Sequence, residues 1–241
     1  MLSLLVALML AQAPACSSEG AALMKAASER ARAFDMAGAA ERLTSAAARG
    51  CAEAELASVY LRGYVAAREA YRFGGSPESL EPVRAAMARL KAAAQGTAAL
   101  PGIAAFVLQA AAAASQSERD ELALVIEHAV QLEAVRLSAG LAGAPMITAH
   151  EAAGDLWLQV HRYEDARRAY VRAAERIGAS PRVTLGLART AARLGDVAAA
   201  CTRYRALVSS WKEAAAEPQE ISEARTFLLQ PACQTPVASP R

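Results

Sequence analysis

Apolar residues recur at intervals of three and four positions along most of the chain, with polar residues filling the positions between them. This spacing places apolar side chains on one face of a helix, and few stretches show the alternation expected of a strand. The pattern therefore predicts an all-α fold. The predicted helices, about eleven in number, lie near residues 19–34, 36–49, 52–73, 77–95, 101–115, 117–139, 146–160, 163–178, 181–194, 196–214 and 218–230.

Glycine and proline mark the breaks between these helices. The Gly-Gly-Ser-Pro run at 74–77 is expected to end one helix and to open the next with Pro77 in its first turn, and residues 143–145 repeat the pattern. Gly178 and Gly195 stand where helix C-caps are expected. The chain divides into N-terminal helical hairpins over 16–139, C-terminal repeats with a capping helix over 140–233, and a tail at 234–241 that is expected to be disordered.

The first fifteen residues combine an apolar run from Leu2 to Ala11 with small residues at Ala13 and Ala15. This layout is typical of a secretory signal, so residues 1–15 are expected to be removed and the mature chain to begin at Cys16. The run is shorter than the roughly 20 residues that cross a bilayer, and no transmembrane segment is expected. Two alternatives are a first core helix and a lipid anchor on Cys16. The lipid anchor fits less well, because Ala13 stands where lipoprotein signals usually carry leucine.

Four cysteines lie at positions 16, 51, 201 and 233, without the spacing of a metal site. Cys16 precedes the first predicted helix and Cys51 follows the second, so an antiparallel hairpin brings the two together. Cys201 and Cys233 bracket the last two helices in a similar way. We therefore predict two disulfides that clasp the terminal hairpins, and an exported protein, periplasmic or secreted. The alternative is four reduced thiols in a cytosolic protein.

The 26 basic and 24 acidic residues are interleaved and leave a formal net charge of +2. Such a balance gives no bulk attraction to nucleic acid or to an anionic membrane. The sequence also lacks a glycine-rich phosphate loop, a G-x-S-x-G motif and a cysteine–histidine nucleophile pair. We expect no enzyme activity, no cofactor and no metal site. The histidines are expected to be structural and partly exposed; they are His128, His150 and His161.

Two segments near the C-terminus repeat the same apolar positions 34 residues apart. Their pattern resembles the tetratricopeptide repeat, which has a small residue in helix A, a small residue early in helix B, an aromatic four positions later and an alanine three after that. The first set is Gly154, Ala166, Tyr170 and Ala173, and the second is Ala188, Ala200, Tyr204 and Leu207.

The resemblance covers about 147–214, and a weaker third copy lies at 22–49. The 34-residue period is lost between 77 and 139. The tryptophan usual in helix A and the proline usual at the end of helix B are absent. The resemblance implies a solenoid of helical hairpins with an irregular middle.

The same resemblance implies a groove lined by one face of each helix A. Three arginines on the second of these helices are spaced by seven and four positions, so they share one face and suit a carboxylate group. The alternative is that Asp155 and Arg189, at equivalent positions of adjacent helices, pair with each other. The implied peptide-binding residues are Glu151, Asp155, Gln159, Arg182, Arg189 and Arg193.

A helical-repeat scaffold or adaptor without enzyme activity is the function that these features indicate. Its expected partner is a protein or a peptide in the cell envelope. A solute-binding or sensory component is the alternative, with a pocket in the irregular helices of 77–139.

Overall fold

Helices build the described part of the protein, which contains no strand. The computed structural model describes residues 16–96, 99–141, 146–211 and 217–234. The helices are α1 Ser18–Arg32, α2 Met36–Ala47, α3 Ala52–Arg72, α4 Glu81–Ala93, α5 Leu100–Ser115, α6 Arg119–Ser138, α7 Ala149–Gln159, α8 Tyr163–Ile177, α9 Pro181–Arg193, α10 Val197–Ser210, α11 Gln219–Leu228 and α12 Pro231–Gln234.

The all-α prediction is confirmed, and all of the predicted helices are present within a few residues of their expected bounds. The start of α4 was predicted wrongly, because the helix begins at Glu81 and Pro77 lies in the turn before it. Ser76 organises that turn, since its carbonyl oxygen accepts from the backbone N–H of Leu80 at 3.1 Å. Helix α12 was not predicted. Three predicted features lie outside the described residues: the break at 143–145, the signal at 1–15 and the tail from 235 onwards. Gln234, which was predicted to begin the disordered tail, is instead the last residue of α12.

Helix α5 is apolar on nearly every face and packs against α3, α4, α6 and α7. Its alanines let these helices approach closely, and Gly63 of α3 marks one such close approach. A Cβ atom on Gly63 would lie 2.7 Å from a methyl group of Leu108. Helix α5 belongs to the segment 77–139, which lacks the 34-residue period. This segment therefore supplies the centre of the larger hydrophobic core, because a helix that is apolar all round must be buried.

Helices that follow one another in sequence pack in pairs along most of the chain. Helix α1 packs on α2, α5 on α6, α7 on α8, and α9 on α10. Helix α7 also contacts α9, and α10 contacts α11. One large core spans α1 to α8, and two smaller clusters lie between α8 and α9 and among α9, α10 and α11. The structure shows paired helices, whereas a regular repeat solenoid stays a prediction.

Small residues surround the ring of Tyr170, which belongs to the 34-residue repeat. A Cβ atom on Gly154 of α7 would lie 2.5 Å from this ring, and a Cβ on Gly186 of α9 would overlap it. The two glycines thus let α7, α8 and α9 meet around one buried aromatic side chain. In the next repeat the ring of Tyr204 lies 4.7 Å from that of Phe227 in α11.

Both predicted cysteine pairs lie at disulfide distance. The Cα atoms of Cys16 and Cys51 are 4.5 Å apart, and those of Cys201 and Cys233 are 5.4 Å apart. The first pair ties the start of α1 to the N-cap of α3, and the second ties α10 to α12. Each pair therefore closes one end of the described helical array.

Candidate functional site: the C-terminal groove

A cavity of about 870 Å³ opens between α7, α9 and α11, on the side of α9 that carries Arg189 and Arg193. We name it the C-terminal groove. Its lining residues are Tyr71, Leu158, Gln159, His161, Arg189, Ala192, Arg193, Tyr204, Gln219, Ser222, Glu223, Thr226, Phe227 and Gln230.

Three of the six residues expected in a peptide-binding groove line this cavity: Gln159, Arg189 and Arg193. Gln159 is the last residue of α7, and the two arginines follow one another by four positions on α9, so they lie on the same helical face. Glu151, Asp155 and Arg182, in contrast, do not line it, because their polar atoms are used inside the fold.

Arg189 forms a forked ion pair with Glu223 of α11. Its Nε donates to one carboxylate oxygen at 2.9 Å, and an Nη donates to the other at 2.5 Å. The Tyr204 hydroxyl also donates to this carboxylate, at 3.0 Å. Burial acts to raise the pKa of Glu223, but the hydrogen bonds and charge of Arg189 outweigh burial and lower that pKa. The pair therefore remains ionised and joins α9 to α11.

Glu223 was missed in the sequence, although a signal for it exists. It follows Arg189 by 34 residues, as Arg189 follows Asp155. Extending the 34-residue register by one more unit therefore points to α11 as a further wall of the groove. Phe227, one helical turn further on, supplies an aromatic surface on the same wall.

The side chains of Arg193 and Gln159 are hydrogen-bond donors in the groove that have no hydrogen-bond partner within the described part of the chain. Arg193 is exposed, and its guanidinium group forms no hydrogen bond or ion pair there. The side-chain amide nitrogen of Gln159 is buried and unpartnered. A buried donor left unpaired costs about 1–3 kcal/mol, so an acceptor from a bound molecule would be favourable at this point.

Asp155 lies in an internal polar cluster. Its carboxylate accepts from the hydroxyls of Tyr64 at 3.0 Å and Tyr170 at 2.5 Å, and from Arg182 at 2.9 Å. Burial acts to raise the pKa of Asp155, but the charges of Arg182 and Arg68 and the two hydroxyl donors outweigh burial and lower that pKa. The alternative pairing of Asp155 with Arg189 is thus replaced by two separate pairs. Of the three arginines, only Arg193 has no hydrogen bond or ion pair within the described residues, although its charge also helps to lower the pKa of Glu223.

Glu151 also serves the fold. It completes a capping box with Thr148 at the start of α7, and it accepts from the hydroxyl of Ser180 at 2.9 Å. Its side chain therefore links α7 to the start of α9.

The prediction of a partly exposed His150 was wrong. His150 is only 4% exposed, and its Nδ1 lies 2.5 Å from a carboxylate oxygen of Glu133 on α6. The same carboxylate accepts from the backbone N–H groups of Ala149 and His150 at 3.0 and 3.1 Å. Glu133 thus caps the first turn of α7 from another helix, a contact that local sequence patterns do not reveal.

The chemistry that the groove offers is recognition through hydrogen bonds, charge and aromatic surface. Within the described residues no group of three or more metal-ligating side chains lies together. No helix in those same ranges is long and apolar enough to cross a membrane.

Comparison with models of known protein families, with curated proteins and with solved structures gives no match.

Proposed function

We propose that the protein is a helical-repeat scaffold or adaptor without enzyme activity, which binds a segment of another protein in its C-terminal groove. The observation that carries this proposal is the juxtaposition in one cavity of the exposed cation of Arg193 and the unpartnered amide of Gln159. A peptide offers a partner to each of these two side chains, since its own side chains include carboxylates and its backbone offers carbonyl acceptors.

The aromatic wall supports a peptide as the occupant. Phe227 and Leu158 are partly buried and line the same groove, so an apolar side chain of the peptide has a surface to cover. The net positive charge at Arg193 favours a segment that contains aspartate or glutamate, because Glu223 is already neutralised by Arg189.

Selection from a random peptide library on the immobilised, oxidised protein tests this proposal. We expect enriched peptides to carry an acidic residue beside an apolar one. Arg193→Ala should weaken the binding of a selected peptide by about tenfold, in line with a lost charge-assisted hydrogen bond of roughly 1.5 kcal/mol. Arg176→Ala, which removes an exposed arginine from α8, is the matched control and should bind like the wild type.

Gln159→Leu separates a binding role from a structural one. Removing a buried unpartnered donor should leave the unfolding temperature unchanged or raise it, while peptide affinity falls about threefold to tenfold. A library without enriched peptides, or selected peptides that bind equally to the Arg193 and Gln159 variants, would contradict the proposal.

Export to the periplasm or the cell exterior belongs to the same proposal. It is supported by the two cysteine pairs at disulfide distance, because such bridges persist in oxidising compartments. The mass of the protein from its native host, measured before and after reduction, tests export. A chain that begins at Cys16 and gains four hydrogens on reduction is expected, whereas an unprocessed chain with reduced thiols would contradict it.

A further inference from the structure

A second cavity, of about 420 Å³, shares no lining residue with the C-terminal groove. Residues of α1, α3, α4, α5 and α6 line it, and we name it the N-terminal pocket. Its principal apolar lining residues are Met24, Leu56, Tyr60, Leu90, Leu100 and Met146.

Burial distinguishes the floor of this pocket from its mouth. Tyr60 and Leu90 are each 1% exposed and form the floor, and the Tyr60 hydroxyl is already used in a 2.7 Å hydrogen bond to the carbonyl of Ile147. Glu53 and Gln95 also line the pocket but are exposed, so they mark the mouth. The pocket is therefore apolar inside and polar where it meets solvent.

We propose that the N-terminal pocket binds a single-chain amphiphile, with its hydrocarbon chain inside and its polar end at the mouth. The volume falls in the range of roughly 300–1,000 Å³ that is typical of small-molecule sites. The apolar floor favours a hydrocarbon chain, because a polar group of a ligand would have no hydrogen-bond partner there. Met24 and Met146 add flexible side chains that adapt to a chain of varying shape.

The charges in the lining indicate which part of the ligand supplies the affinity. Glu53 and Arg136 carry opposite charges, so together they add no net charge to the pocket. Binding should therefore depend on the length of the hydrocarbon chain more than on the charge of the headgroup. The inference stands on this pocket alone and is independent of peptide binding in the C-terminal groove.

Calorimetric titration of the oxidised protein with straight-chain carboxylates and straight-chain trimethylammonium salts of increasing length tests the proposal. Each methylene buried in the pocket should improve affinity about fourfold until the pocket is full. At equal chain length, the affinities of the carboxylate and the trimethylammonium salt should differ by less than the change in affinity that two methylenes produce. Absence of binding, or binding that does not change with chain length, would overturn the proposal.

Two variants locate the binding. Ala57→Phe places a ring inside the pocket from α3 and should weaken binding of the best chain at least tenfold. Ala198→Phe makes the same change on the exposed surface of α10 and should leave binding unchanged. Leu56→Ala enlarges the pocket and should shift the preferred chain to a longer one, which keeps the test valid if Ala57→Phe fails to fold. Equal binding by the wild type and both pocket variants would overturn the proposal.

Vesicles of a two-chain phosphatidylcholine distinguish a free amphiphile from a membrane lipid. We expect the protein not to bind these vesicles in a flotation assay, because the pocket has room for one chain. Binding of the protein to the vesicles that Ala57→Phe abolishes would overturn the assignment to single-chain amphiphiles.

Discussion

Tyr170 shows how single residues hold the C-terminal helices together. Its ring fills the space between Gly154 and Gly186, and its hydroxyl donates to Asp155 at 2.5 Å. The ring has no room to move aside, because glycines on two helices bound it and the hydrogen bond fixes its end.

Gly186→Ala should therefore destabilise the protein although alanine is the better helix former. The new methyl group would overlap the Tyr170 ring, and overpacking of this kind costs about 1–3 kcal/mol, which exceeds the gain in helix propensity of up to about 1 kcal/mol. Gly102→Ala in α5 is the matched control, because a Cβ there would make an ordinary contact with Ala94 at 3.5 Å. It should be neutral or slightly stabilising, because Gly102 lies in the first turn of α5, where helix propensity counts for less than in the middle of a helix. Chemical denaturation measures both, and equal effects would contradict the packing of Tyr170.

Asp155 should make the stability of the protein sensitive to acid. The pKa of its carboxyl is lowered in the folded state, so its contribution is complete above the ordinary value of 3.8 and is lost as the pH falls below it. Asp155→Asn should lower the free energy of unfolding by about 3–5 kcal/mol at neutral pH, because Arg182 loses its buried partner. It should also reduce the loss of stability below about pH 4.

Unfolding temperatures measured across this pH range test the role of Asp155. Glu175→Gln, at an exposed position of α8, is the control and should follow the wild type. An Asp155→Asn variant with the stability and acid sensitivity of the wild type would show that the cluster with Tyr64, Tyr170 and Arg182 contributes nothing.

At the residue scale, sequence patterns predict which residues share a helical face better than they predict which side chains pair with each other. Gln159, Arg189 and Arg193, which the 34-residue register assigns to one groove, line one cavity, and their role in binding stays a prediction. The register does not show that Arg182 turns inward to Asp155, in a cluster that also contains Tyr64 of the distant helix α3.

At the scale of elements, the terminal helices are the ones most in need of support, because each has a neighbour on one side only. The two cysteine pairs close these ends over sequence separations of 35 and 32 residues. Loops of this length imply a stabilisation of roughly 4 kcal/mol per disulfide through the entropy of the unfolded chain.

Replacing both cysteines of one pair by serine should weaken binding at one of the two sites, and the site should differ between the two pairs. Loss of Cys201 and Cys233 should loosen α11 and α12 and weaken peptide binding, because α11 is one wall of the C-terminal groove. Loss of Cys16 and Cys51 should loosen α1 and weaken amphiphile binding, because Met24 lines the N-terminal pocket. Both variants should lose about 2–4 kcal/mol of stability in chemical denaturation. Unchanged stability would contradict the proposed role of the two disulfides. Weaker amphiphile binding without Cys201 and Cys233, or weaker peptide binding without Cys16 and Cys51, would also contradict it.

The helices themselves were predictable, since their apolar periodicity and their breakers are local features. The bounds of α8 and α9 agree closely because Gly178 ends one and Pro181 opens the other. The start of α4 was misplaced because two prolines compete for it, and Pro82 occupies the first turn instead of Pro77. The packing of α5 at the centre of the larger core depends on four other helices and has no local signature beyond its uniform apolar character.

For the whole molecule, the two cavities share no lining residue and suit different chemistry. The N-terminal pocket is lined mainly by apolar residues of α1, α3, α4 and α5, whereas the C-terminal groove is lined by polar and aromatic residues of α7, α9 and α11, with Tyr71 from the end of α3. Binding of a peptide should therefore change the C-terminal helices and leave α1, α2, α4 and α5 unchanged.

Hydrogen–deuterium exchange of the protein, with and without a selected acidic peptide, is the most direct test of peptide binding in the groove. We predict slower exchange at the end of α7, along α9 and along α11, because these helices form most of the groove, and unchanged exchange in α1, α2, α4 and α5. Unchanged exchange everywhere, or slower exchange confined to α1, α2, α4 and α5, would contradict the proposed binding site.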